Sequence, residues 1–271
     1  VKALEAINNK ACGWFFTKNV DEFEKIPGLP IAYWLGSQAT NAFENNIKIS
    51  EVAVPRKGMA TGDNNKFVRM WTEVSRNSIG LNLTREAAKV SGFKWFPYAN
   101  GGGYRKWFGM LEDVVLWEKD GEVLQRELHP NGNVRAVGLN LDYIFSQGVT
   151  WSPITSALFS SRLLPAGALF SSASNTLFPK KISGFALMGQ VNSCVFEFFS
   201  KIINPTLNLN TGDVANIPVI VDEWVCSQLE GIAKKLVDSS ERDWDSNELS
   251  LNFSGEPMIK NGRSIARLSD A

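Results

Sequence analysis

Histidine and cysteine are almost absent from this chain of 271 residues, which holds one His and three Cys. Cys12, Cys194 and Cys226 lie too far apart for metal-ligand spacing, so neither a zinc centre nor a disulfide framework is expected. His129 sits beside Pro130 and Asn131 in a polar turn and is assigned no role. The thiol usage fits a reducing, cytoplasmic setting. No apolar run is long enough to span a bilayer, so no membrane partner is expected. The phosphate loop Gly-x-x-x-x-Gly-Lys-Ser/Thr is missing, as is the Gly-x-Ser-x-Gly nucleophile turn. No carboxylate and lysine set stands at the spacing of a metal-dependent nuclease. The usual enzymatic classes therefore find no catalytic residues, and no metal site is expected.

Net charge is also absent, with 28 Lys+Arg against 28 Asp+Glu. Its distribution is uneven. From Arg56 to Glu127 basic residues outnumber acidic ones twelve to nine, whereas from Asp222 to Glu248 acidic residues lead eight to three. A mildly basic body with an acidic tail is compatible with a surface that faces nucleic acid. Hydrophobic residues at 44% are ordinary for a globular protein, and a chain this long buries about 70–75% of its unfolded surface. The first residue is Val1 and not methionine, which suggests a fragment or a processed chain and leaves room for sequence upstream.

Local patterns predict mixed α and β structure. Leu4 to Ala11 has a short helical pattern, Pro27-Gly28-Leu29-Pro30 marks a boundary, and Ile49 to Val54 alternates like a strand. Short apolar runs at Phe93 to Tyr98, Val114 to Trp117 and Ala168 to Phe170 read as further strands. Asp120-Gly121 between Glu112–Trp117 and Val123–Glu127 predicts a hairpin. Ile182 to Ile203 reads as one buried helix introduced by Ser183 and ended by Asn204-Pro205. Val214 to Val221 is expected to be extended. A helix of about 15 residues follows Asp222, and a polar, irregular tail starts at Ser239.

Four polar patches carry what chemistry the sequence offers. Lys57 to Phe67 packs Gly58, Gly62, Asp63, Asn64 and Asn65 into one turn between Arg56, Lys57, Lys66 and Arg69. Gly101 to Trp107 sets Tyr104, Arg105 and Lys106 behind three glycines. Arg105 suits guanine, since its planar fork matches two acceptors on the major-groove edge of that base. The third and fourth patches are Gly148 to Ser152, with Thr150 and Ser152, and Ser171 to Thr176, with Ser174 and Asn175. Such hydroxyls and amides can donate to phosphates or read base edges. They can equally cap helices and brace turns, and the aromatics can pack into a core.

The order of motifs adds to this. Pro27-Gly28-Leu29-Pro30-Ile31-Ala32-Tyr33-Trp34, Gly58-Met59-Ala60-Thr61-Gly62-Asp63-Asn64-Asn65, Lys94-Trp95-Phe96-Pro97-Tyr98 and Gly102 to Trp107 succeed one another as in the PglX adenine-specific DNA methyltransferases of BREX phage-defence systems. Gly148 to Ser152, Ser174 to Pro179, Asn204 to Asn208 and Gly212 to Pro218 continue the resemblance, which covers roughly Ile26 to Ile220 and reaches Asp243-Trp244-Asp245-Ser246. The part matched is similar to the family's carboxy-terminal target-recognition region. The Asn-Pro-Pro-Tyr-type motif and the glycine-rich S-adenosylmethionine turn of such enzymes do not occur, since Asn204-Pro205 is followed by Thr206.

The resemblance implies an α+β fold, with a mixed sheet, packed helices and a helical C-terminal tail. Residues 1–26 would form a linker or helix toward an upstream methyltransferase domain, 27–221 the DNA target-recognition domain, and 222–271 an acidic helical tail. Double-stranded DNA is the implied partner, with other BREX proteins as further ones. S-adenosylmethionine would be bound by the parent enzyme and no cofactor by this chain. Residues expected to touch DNA are Lys57, Thr61, Asn64, Asn65, Lys66, Arg69, Tyr104, Arg105, Lys106, Thr150, Ser152, Ser174 and Asn175. The alternative is a protein-interaction module that meets other defence-complex subunits or a phage inhibitor.

Overall fold

The computed structural model describes residues 2–253 and 255. Among them the fold is α+β, with eleven α-helices and three small sheets. The strands β2 (Ala53–Arg56), β9 (Asn175–Pro179), β6 (Gly148–Trp151) and β7 (Ser161–Leu164) form an antiparallel sheet in that spatial order. The mixed sheet runs β3 (Val68–Met70), β5 (Asp113–Leu116), β4 (Trp95–Ala99) and β8 (Leu169–Phe170), with only β4 and β8 parallel. A third ladder pairs β1 (Ile47–Lys48) with β10 (Pro218–Val219).

Two large cores result from the alternation of side chains along the strands, beside a small third cluster of Ile79, Val114 and Leu251. On β9, Leu177 enters one core while Phe178 enters the other. The first core fills the space between the antiparallel sheet and the helices α3 (Ser37–Asn45), α8 (Gly184–Val191), α9 (Cys194–Ile203) and α11 (Glu223–Asp245), with Val149 and Trp151 meeting Leu187, Phe196 and Trp244. The second joins the two four-stranded sheets through Phe67, Phe96, Tyr98, Phe170 and Phe178. Because both its faces are covered, every residue of β6 is buried. The helix α1 (Lys2–Asn8) buries nothing, and neither does α2 (Asp21–Glu24).

Several local expectations give way to tertiary structure. The stretch Ile49 to Val54 is a turn of helix, α4 (Ile49–Val52), before β2 begins, because Ile49 and Val52 sit three apart on one face and both are buried. Glu51 accepts from the Lys48 backbone N–H to start that turn. No hairpin forms at Asp120-Gly121. Instead α7 (Glu118–Arg126) follows β5 through left-handed Lys119, Asp120 and Gly121. The Asp120 carboxylate is held by Arg85 at 2.9 and 2.7 Å, and Leu124 is thereby buried beside α6 (Arg85–Val90).

The helix expected over Ile182 to Ile203 is two helices. Asn192 breaks it by donating to the Ser161 carbonyl and accepting from the Ser161 N–H, both at 2.9 Å, so one amide side chain replaces a strand partner on the edge of β7. Ser193 then caps α9, as Ser183 caps α8. The segment after Asn204 holds α10 (Thr211–Ala215) before the short β10, so only part of Val214 to Val221 is extended. Asp222 caps α11, which runs 23 residues to Asp245 because Val237 and Trp244 belong to the first core. The irregular tail expected from Ser239 is thus helical at first, and its positions 254 and 256–271 lie outside the described residues. No helix of the described residues is long and apolar enough to cross a membrane.

Candidate nucleic-acid interface

The Lys57 to Phe67 turn is a rigid rim. Met59 donates to the Phe170 carbonyl, and Ala60 exchanges bonds with Val137. Gly58 makes this approach possible, because a Cβ there would lie 2.2 Å from the Ser171 carbonyl oxygen. Gly62 is left-handed at φ 77° and passes over Arg135, where a Cβ would lie 2.5 Å from the Arg135 Cβ. Asp63 then caps α5 (Asn64–Phe67) by accepting from the Lys66 N–H, and Phe67 anchors the far end in the second core. Beneath the turn, Arg135 lies 3.6 Å from Asp63 and 3.8 Å from Glu127.

Two adjoining hollows open beside this rim. The larger, of about 530 Å³, is lined by the turn, Tyr98, Asn100, Arg135 and the Ser171–Ala173 backbone. The second, of about 360 Å³, is lined by Arg69, Glu73, Asp113 and others. Asn64, Asn65 and Asn100 belong to the walls of both. Asn100 donates to Asp113 at 2.9 Å. Burial raises the Asp113 carboxyl above its ordinary range, and the Asn100 amide opposes that shift. Arg69 donates to the carbonyls of Asn65 and Val68 and so fixes the position of Asn65.

Among the cations expected to reach DNA, Lys57 is exposed and has no carboxylate partner among the described residues. Lys66 is paired with Glu127. Arg105 and Lys106 are engaged by the fold itself. The Arg105 guanidinium donates to the Phe108 carbonyl at 2.6 Å, the Ser240 carbonyl at 3.0 Å and Asp243 at 2.9 Å, and stacks 5.0 Å from the Trp244 ring centroid. Lys106 donates to the Asn192 carbonyl at 2.8 Å. The guanine-matching fork of Arg105 is therefore filled by α11. Tyr104, beside them, is exposed.

Four of the hydroxyl and amide side chains expected to touch DNA lie inside the fold. Thr150, Ser174 and Asn175 have at most 2% exposure, and Thr61 has 1%. Thr150 bonds Ser174 and the Asn175 carbonyl, and Thr61 braces the turn from below. Ser152 donates to the Gly102 carbonyl and accepts from Arg162, which also donates to the Gly101 carbonyl. Arg162 is 1% exposed, and burial pulls its guanidinium down to about 10, with Glu112 opposing. Asn100, Asp113, Arg135 and Arg162 were not singled out by sequence. Only the position of Asn100, between a strand and three glycines, offered a hint.

The glycine loop after β4 is not shaped as an S-adenosylmethionine turn. Gly101 to Gly103 follow β4, yet Ser152 and Arg162 close on the loop from one side, a Cβ on Gly102 would lie 3.0 Å from the Met110 sulfur, and no helix follows. Nor can Asn204 hold an extruded base, since its amide donates to Asn208 and Asp213 and accepts twice from Thr206. Among the described residues no group of three His, Cys, Asp or Glu could hold a metal ion.

An adenine-specific methyltransferase, PglX, from Lacticaseibacillus casei (strain Zhang) is 32% identical over 269 residues, covering 95% of this chain and 22% of that protein. An adenine-specific methyltransferase, BrxX, from Escherichia coli O9:H4 (strain HS) is 36% identical over 250 residues, covering 91% of this chain and 19% of that protein. The chain thus spans about a fifth of the length of these relatives. No protein-family model matches it.

Proposed function

We propose, the chain being homologous to a segment of the PglX/BrxX adenine-specific methyltransferases, that it is the DNA target-recognition part of such an enzyme in BREX phage defence. Residues 27–221 carry the recognition surface, 1–26 lead toward a methyltransferase domain that binds S-adenosylmethionine, and 222–271 form an acidic tail. A methyltransferase that acts on a base within a duplex must extrude it, so the choice of site falls to a separate surface that grips neighbouring base pairs. The observation that supports this role is the pair of polar hollows sharing Asn64, Asn65 and Asn100, with Arg69 in the wall of the second and exposed Lys57 at the start of the same turn. Amides suit base edges and the two cations suit phosphates.

Fluorescence anisotropy of the chain with labelled duplexes, repeated at rising salt, tests the role. Binding is expected to weaken as salt rises, because each phosphate contact releases a condensed counterion. Absence of binding to every duplex, or binding indifferent to salt, would overturn it.

A second reading, a module that contacts defence-complex subunits or a phage inhibitor, is favoured by one feature. An apolar groove of about 320 Å³ is lined by α8, α9, β10 and α11, with exposed Val195 and Ile220 in its wall. Loss of partner capture by Val195→Asp, with duplex binding intact, would support it.

A further inference from the structure

Asn64 and Asn100 face the same two hollows, and each amide is locked in one orientation by a neighbour. At Asn64 the lock is Thr61. The Thr61 hydroxyl accepts from the Asp63 N–H at 3.2 Å and lies 2.6 Å from Asn64 Oδ1. That length suits O–H···O and is short for N–H···O, so the hydroxyl proton goes to Oδ1. The Asn64 NH₂ group is left as a donor, with no protein partner among the described residues. At Asn100 the lock is reversed. There the Asn100 NH₂ group donates to the Asp113 carboxyl oxygen at 2.9 Å. Asn100 Oδ1 is left as an acceptor, again without a protein partner among the described residues.

One donor and one acceptor therefore line a shared recess on the face proposed above to meet a duplex. Among base edges in the major groove, adenine alone offers the complement on a single base, with N7 as acceptor and the N6 amine as donor. Given that duplex-binding role, we propose that Asn64 and Asn100 read one adenine of the recognised site, Asn64 donating to N7 and Asn100 accepting from N6. Asp113 is a positioning residue that sets which end of Asn100 faces the base. A single asparagine can read adenine with both ends of its amide. Here the two ends come from two residues, so their choice of base can be altered separately.

The test is selection of bound duplexes from a randomised pool by the wild-type chain, Asp113→Asn and Asn64→Asp, each checked for folding by its thermal transition. Wild type is expected to enrich adenine at one position by about tenfold or more over other bases. In Asp113→Asn the new side chain can donate as well as accept, so the Asn100 amide is no longer held in one orientation. Adenine enrichment at that position should then fall, with guanine or thymine gaining. Asn64→Asp keeps the Thr61 contact and removes the outward donor, so adenine enrichment should be lost even if Asp113→Asn does not fold. Unchanged adenine enrichment in the folded variants overturns the assignment while leaving duplex binding intact. Failure of the wild-type chain to bind any duplex overturns the binding role and this assignment together.

Discussion

Arg105→Ala should destabilise the chain by about 3–5 kcal/mol while leaving the duplex affinity of the folded protein unchanged. Two of the contacts it deletes are charge-assisted bonds to the Phe108 and Ser240 carbonyls, at 2.6 and 3.0 Å. Hydrogen bonds to a charged group contribute about 1.5 kcal/mol or more each. The pair with Asp243 adds little, about 0–1 kcal/mol, because the Asp243 side chain is 73% exposed and solvent screens it. Stacking against Trp244 at 5.0 Å adds about 0.5–1 kcal/mol. Urea unfolding measures the total as a fall in midpoint at constant slope. Asp243→Ala, which removes only the exposed pair, should cost less than about 1 kcal/mol. The reasoning is refuted if Arg105→Ala unfolds at the wild-type urea concentration and binds duplex more weakly, for the guanidinium would then work at DNA and not at α11.

Lys57→Ala should weaken binding to all duplexes alike and reduce the slope of log affinity against log salt by about one unit, as removal of one phosphate contact does; a change of sequence preference would contradict this. Arg162→Met should lower stability by about 1–3 kcal/mol in thermal or urea unfolding, since it leaves the buried Gly101 carbonyl without its donor. Arg85 holds the Asp120 carboxyl below its ordinary value of 3.8, so its contribution is complete above that pH and is lost as pH falls through the depressed folded-state value. The melting-temperature gap between wild type and Asp120→Asn should therefore close on acidification below 3.8, and a gap independent of pH would show that the ion pair is not its source.

The α+β class, the strands at Trp95–Ala99 and Asp113–Leu116 and the caps at Ser183 and Asp222 follow from the sequence by itself. Each depends on neighbours a few residues away, through apolar runs or a side chain that satisfies the next turn. The order of motifs likewise pointed to the relatives, and it noticed Asn64 and Asn65 because glycines and amides cluster there. Tertiary structure alone decided which polar residues are free. Thr150, Ser174 and Asn175 look as available as Asn64 along the chain, yet β6 and β9 lie inside, where the Thr150 and Ser174 hydroxyls bond each other and the Asn175 side chain is buried. Arg105 looks like a base reader until α11 arrives more than a hundred residues later and takes its guanidinium. The reverse holds for Asn100 and Asp113, which pairing of β4 with β5 brings to one wall. Whether a donor meets water, a base or its own backbone is settled by contacts between distant segments, and no local pattern encodes them.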